Sequence, residues 1–270
     1  MNKPTGSLIS YMANKVKSEG GINLAQGIPA FAPPSKLLEI LQQNVFENIH
    51  QYAPGKGNHL LLKKLEEQYK IPQEQFLMVN GATEAISLLF TYIKNLINDD
   101  FSVLAFDPVY ESYKHLPRIY KIPFNTFSIN DNNNIDFDIL ENRINKQNVK
   151  LILLASPGNP YGKIWSKNEI DTLIEICHKN RVYIIVDAVY SDLYFDKPPY
   201  FPLHINSEYI FYVNAFSKKF SITGWRIGYL IAHQLHMKGI MDIHDYTGLC
   251  APSILQQSTL PIGQYPLPPL

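Results

Sequence analysis

Six short runs, continuously apolar and rich in β-branched and aromatic residues, recur along this chain: FLMV from Phe76, SVLAF from Ser102, KLILLA from Lys150, VYIIV from Val182, YIFYV from Tyr209 and IGYLIA from Ile227. A strand with one face in water alternates apolar and polar residues, whereas a strand covered on both faces does not. These runs therefore predict buried strands. Between several of them, apolar residues recur at three- and four-residue steps, which gathers them on one face of a helix. TEAISLLFTYIKNLI, residues 83–97, and SKNEIDTLIEICHKN, residues 166–180, have this pattern. Ser166 followed by Glu169 makes a capping box at the start of the second. Strand–helix alternation of this kind predicts an α/β domain with a mostly parallel sheet and helices on both faces.

Composition narrows the function classes. The 270 residues are 46% hydrophobic and 18% charged, with 24 basic and 24 acidic side chains. A net charge of zero gives no electrostatic reason to expect nucleic acid or an anionic membrane as partner. Two cysteines far apart, Cys177 and Cys250, make neither a disulfide framework nor a metal site, which fits a reducing compartment. The N-terminal stretch is polar, and no apolar run approaches the roughly 20 residues that span a bilayer. A cytoplasmic protein is expected.

In open parallel sheets, ligands bind beyond the carboxyl ends of the strands. Asp187 ends one predicted strand, with Tyr190 three residues on. A carboxylate there is costly unless it meets a cation, although Asp also caps helices well. SPGNPYG, residues 156–162, follows another strand; it is a plain turn, or a turn that aims Asn159. NGATEA, residues 80–85, puts Gly81, Ala82 and Thr83 at a helix start, where free N–H groups and the helix dipole favour an anion. Tyr110, in DPVYESY, lies just past a strand end and by default packs in a core. NAFSKKFSITGWRIGYL, residues 214–230, carries Ser217, the pair Lys218 and Lys219, and Arg226, a residue suited to gripping a phosphate in a fork. Together these groups describe an anion cradle, a ring to stack on, a carboxylate, a phenol, an amide and a lysine. A phosphorylated aromatic cofactor held covalently needs that set.

The stretches INLAQGIPAF, YAPGKGNHLL, NGATEA, DPVYESY, SPGNPYG, DAVYSDLYF and FSKKFSITGWRIGYL, in that order, resemble the class I/II aminotransferases, pyridoxal 5′-phosphate (PLP) enzymes of fold type I. The opening INLAQGIP is most similar to the branch with kynurenine/glutamine transaminases and methionine aminotransferases. The resemblance implies a PLP-binding large domain and a PLP-dependent transfer of an amino group between an L-amino acid and a 2-oxo acid. It implies that Lys218 forms the Schiff base, because the family's lysine directly follows the serine and precedes the phosphate-binding arginine by eight residues. Lys219 satisfies neither condition. It further implies that Asp187 pairs with the ring nitrogen, that Tyr190 and Asn159 bond the ring's phenolic oxygen, and that Tyr110 stacks on the ring. Ala82, Thr83, Ser217 and Arg226 would hold the phosphate, at the helix start that Gly81 opens. Tyr52 would reach the phosphate of a neighbouring subunit, so a homodimer is implied. Gly27, Ile28 and Asn159 would face the substrate.

Two departures stand out. Ala215 occupies a position where many relatives have a hydroxyl or glycine, which removes one phosphate donor. The family's C-terminal small domain, with its arginine for the substrate carboxylate, has no counterpart here; Arg118, Arg143 and Arg181 lie outside the matching stretches. The division expected is an N-terminal arm over residues 1–30, a PLP-binding domain over 31–232, and over 233–270 a start of the C-terminal region. That last part holds a helix from roughly His233 to Tyr246 and a proline-rich end, PIGQYPLPPL. The alternatives are a PLP-dependent cysteine-S-conjugate β-lyase, which shares the same cofactor contacts, and a truncated PLP-binding protein with little or no activity.

Overall fold

The computed structural model describes residues 7–129, 134–203, 206–261 and 263. Most of the proline-rich end lies outside the described residues. In chain order the helices and strands are α1 (Leu8–Ser18), α2 (Ser35–Asn44), α3 (His59–Tyr69), β1 (Phe76–Val79), α4 (Ala82–Leu96), β2 (Ser102–Asp107), α5 (Glu111–Ile119), β3 (Phe124–Ser128), α6 (Phe137–Lys146), β4 (Val149–Ala155), α7 (Lys167–Asn180), β5 (Tyr183–Asp187), β6 (Ile210–Ala215), α8 (Phe216–Lys219), β7 (Gly228–Ile231), α9 (Gln234–Thr247) and α10 (Ser253–Ser258). Each of the six apolar runs forms a strand.

Among the described residues the strands form one seven-stranded sheet in the order β1-β7-β6-β5-β4-β2-β3. Neighbours from β3 to β6 are parallel, while β7 is antiparallel to both β6 and β1. The reversal has a local cause. Parallel strands need a long crossover. The chain instead leaves β6, makes the short α8 and a single 3₁₀ turn, and returns with Gly228 paired to Ala215. The whole β6–β7 connection therefore stays at the carboxyl end of β6.

The continuous apolar runs bury both faces of the sheet. Along β1, Phe76 and Met78 enter one core while Leu77 and Val79 enter the other. The first core is closed by α3, α6 and α7 through side chains such as Leu65, Leu140 and Leu173. The second is closed by α4 and α9 through Leu89, Phe90 and Ile240. The capping box at Ser166 and Glu169 forms in both directions. The edge strand β3, FNTFS, lacks the apolar run of the others, because only Phe127 is fully buried. Helix α9 packs into the same core as α4, and α10 lies on α2, with Asn44 Nδ2 donating to Ser258 Oγ at 3.0 Å.

Candidate active site

The carboxyl ends of β4, β5 and β6, the start of α4 and the segment around Gly27 enclose a cavity of about 380 Å³. Asp187, the last residue of β5, lies in its wall and is 8% exposed. Its Oδ2 accepts a hydrogen bond from the Tyr113 phenol at 2.7 Å, and its Oδ1 accepts the Val189 N–H at 3.2 Å. Burial pushes the carboxyl above its ordinary range; the Tyr113 and Val189 hydrogen bonds and the positive charge of Lys218 oppose that push.

Lys218, on the single turn of α8, reaches into the cavity, and its Nζ donates to the Gly27 carbonyl at 2.7 Å. Burial lowers the tendency of this amine to hold its proton, the Asp187 carboxylate raises it, and the Arg226 guanidinium lowers it again. The net shift is downward, toward a free amine. Consecutive residues on a helix diverge by about 100°. Lys219 accordingly points elsewhere and pairs with Asp192 at 3.0 Å, outside the cavity lining. Tyr190 also donates to the Gly27 carbonyl, at 3.0 Å, and its phenol is pushed up to about 12, mainly by burial and then by Asp187. The Gly27 backbone thus meets the lysine and the phenol at once. A Cβ at Gly27 would overlap the Tyr190 hydroxyl.

Ala82 and Thr83, in the first turn of the 15-residue α4, also line the cavity, as do Ser217 and Arg226. Arg226 is held at both nitrogens of its fork, Nη1 by the Thr223 carbonyl at 3.1 Å and Nη2 by the Asn80 carbonyl at 3.2 Å. Gly81 does not line the cavity. It lies against Arg226, with a Cβ there placed 2.8 Å from the guanidinium carbon, and its φ of +82° suits glycine. Its lack of a side chain leaves room for the Arg226 guanidinium. Gly228 is equally constrained, since a Cβ would come within 2.9 Å of the Gly81 backbone.

Tyr110 caps α5 and lines the cavity. Asn159 lines it from the loop after β4, a loop closed by the Gly158 N–H to the Lys163 carbonyl at 2.9 Å and the Gly162 N–H to the Gly158 carbonyl at 2.8 Å. Gly27, Ile28 and Ala215 also line the cavity. Tyr52 is 82% exposed and is not part of the lining. Tyr113, which the sequence reading did not single out, is the close partner of Asp187. Its signal was present in DPVYESY, where it stands three residues after Tyr110 and so one helical turn along.

The family model "Aminotransferase class I and II" matches residues 19–262 of this chain. The chain belongs to that family. The probable aspartate aminotransferase of Methanocaldococcus jannaschii is 31% identical over 251 residues, a match covering 88% of this chain and 66% of the relative. The structure of a putative kynurenine aminotransferase from Saccharomyces cerevisiae superposes with a TM-score of 0.83 at 26% identity, over 97% of this chain and 67% of that one. A methionine aminotransferase of Escherichia coli shares the fold, with a TM-score of 0.85 at 23% identity over 98% of this chain and 72% of that one. The chain spans between 62% and 68% of the length of the curated relatives it matches. PLP is the cofactor of this family.

The cavity fits PLP on its own chemistry. The helix start, Thr83, Ser217 and Arg226 form an anion end, while the buried Asp187 carboxylate leaves an acceptor side for a cationic ring nitrogen. Lys218 reaches the same space with its proton affinity lowered. No helix among the described residues is long and apolar enough to cross a membrane.

Proposed function

We propose that this chain is the cofactor-binding part of a PLP-dependent aminotransferase that moves an amino group between an L-amino acid and a 2-oxo acid. The observation that carries this reading is the convergence of the Lys218 amine and the buried Asp187 carboxylate on one cavity that Ala82, Thr83, Ser217 and Arg226 also line. Bound there, PLP supplies an aldehyde carbon for covalent attachment and a cationic ring that accepts an electron pair from the substrate Cα.

The chain's own residues then have distinct tasks. Thr83, Ser217 and Arg226 hold the phosphate with the N–H groups at Ala82 and Thr83, and Gly81 keeps Arg226 in place. Asp187 keeps a proton on the ring nitrogen. Tyr110 covers a ring face, and Tyr190 and Asn159 hydrogen-bond the ring's phenolic oxygen. The Lys218 Nζ takes the proton from the substrate Cα and returns one to the product side, work suited to an amine whose proton affinity is lowered. Gly27 and Ile28 border the substrate. Tyr52 reaches the phosphate of a second copy, which makes the working unit a homodimer. The proposed division is a cofactor-binding unit over residues 31–232, an N-terminal arm over 1–30 and the start of a C-terminal region over 233–270; the proposed compartment is the cytoplasm.

Incubation with PLP, borohydride reduction and peptide mapping test the assignment. The label is expected on Lys218. A label on Lys219, or none, would overturn it. An L-amino acid offered with a 2-oxo acid should give the exchanged pair; pyruvate, ammonia and a thiol from a cysteine S-conjugate would instead mark β-elimination.

A further inference from the structure

The buried carboxylate at the end of β5 raises a problem of charge. Asp187 must stay ionised to hold a proton on a ring nitrogen, yet burial drives it toward the neutral acid. The groups facing it are Tyr113 from α5, Lys218 from α8, and Tyr190 and the Val189 N–H from the segment after β5. The Lys218 ammonium donates to the Gly27 carbonyl and acts on Asp187 only through space. The hydrogen bonds that Asp187 accepts run from Val189 and Tyr113, and Tyr113 is the one whose donor a side-chain change removes.

We propose that Tyr113 is a positioning residue for the cofactor's ring nitrogen: its phenol fixes the plane of the Asp187 carboxylate and keeps that carboxylate ionised. This rests on the reading of the cavity as a PLP site. Tyr113 is suited to the task in three ways. Its ring is 3% exposed and meets the Tyr110 ring edge-on, with centroids 5.6 Å apart and planes at 87°, so it has little freedom to turn. Its phenol is pushed well above the ordinary range by burial and by the neighbouring carboxylate, so it remains a donor throughout the working range. Its bond falls on Oδ2 while the Val189 N–H falls on Oδ1, and two donors on different oxygens set the carboxylate's rotation. The remaining lone pairs then have a defined direction. Without the phenol, the carboxyl would take up a proton more readily and present a neutral acid to the ring nitrogen.

The substitution Tyr113→Phe keeps the buried ring and removes the donor. In the cofactor-free chain labelled with ¹³C at the aspartate carboxyls, and with the Asp187 signal identified by Asp187→Asn, the Asp187 titration should move up by about one pH unit or more in Tyr113→Phe. PLP affinity should fall about tenfold or more, as expected for one hydrogen bond to a charged group. In an Asp187→Asn background the same Tyr113→Phe change should cost no further affinity, because its route runs through the carboxylate. An unmoved Asp187 titration, or an equal loss of affinity in both backgrounds, would overturn the proposal and leave Tyr113 a packing residue. Failure of the unsubstituted chain to take up PLP would instead strike the functional reading, and the carboxyl titration would still decide whether Tyr113 governs Asp187.

Discussion

Lys218 and Lys219 are adjacent and chemically identical, and the fold gives them opposite fates. One helical step turns the first toward the Gly27 carbonyl and the second toward Asp192. Adjacent positions on one turn suffice for that separation, so the choice between the two lysines belongs to the backbone. Gly81 shows the same dependence at a position with no reactive group. Its φ of +82° and ψ of 168° lie in a region open to glycine almost alone. A Cβ there would also press on the Arg226 guanidinium. Gly81→Ala is expected to cost about 1–3 kcal/mol in urea unfolding from backbone strain. It should also weaken PLP binding by displacing Arg226. A variant that unfolds at the unsubstituted midpoint and binds PLP equally well would contradict this account of the cradle.

Helix α4 carries the anion end of the cavity, and its first turn is tied to the last turn of α9. Glu84 Oε2 accepts from the backbone N–H of Asn80 and from its Nδ2, and Glu84 Oε1 lies 3.4 Å from Nδ1 of the buried His244. Burial pushes the Glu84 carboxyl up, but the close His244 ring and the Asn80 hydrogen bonds outweigh it and hold the carboxyl below its ordinary range. A carboxyl depressed in the folded state adds stability above its unfolded pKa and loses it as pH falls through the folded value. Glu84→Gln should therefore destabilise the chain at neutral pH by about 1.5–3 kcal/mol, the usual worth of hydrogen bonds to a charged group. The deficit should shrink in acid, below the folded pKa of Glu84. Unfolding midpoints measured across that pH range check the sign; a deficit that is constant with pH would rule out the charge as its source. The loop from Asn80 also gives its carbonyl to Arg226, so this clamp supports the cradle as well as the helix. At this scale the strands, α4, α7 and the capping box were readable from periodicity and capping chemistry, since each is a local pattern. The edge strand β3 was not, because its half-buried FNTFS lacks a continuous apolar run.

Across the whole molecule, the N-terminal part leaves large apolar side chains in the open, among them Leu24, 89% exposed, with Ile22, Phe46 and Tyr52. Scattered exposed apolar residues are ordinary; where they lie together they make a surface that pairs. A second copy of the chain is the expected partner, in keeping with the role proposed for Tyr52. Sedimentation should show a dimer, and PLP affinity should rise with chain concentration as the dimer forms. Tyr52→Ala should weaken PLP binding in the dimer while leaving the monomer's affinity unchanged. A chain that binds PLP equally well as a monomer at every concentration would remove Tyr52 from the site.

The amino-acid sequence by itself determined that the chain builds a doubly covered, mostly parallel sheet, that a carboxylate stands at the end of β5, and that groups suited to an anion follow β1 and β6. These are matters of local burial, capping and residue order. Only the tertiary structure decided that β7 runs antiparallel, that Gly81 lies behind the cradle, that the Gly27 carbonyl meets both Lys218 and Tyr190, and that Tyr113 donates to Asp187. These three contacts join residues 191, 163 and 74 positions apart. Periodicity reports which face of an element is buried. Which side chains meet across the strand ends depends on how the crossovers and the short β6–β7 return place those ends in space, and that is settled by packing of the whole sheet.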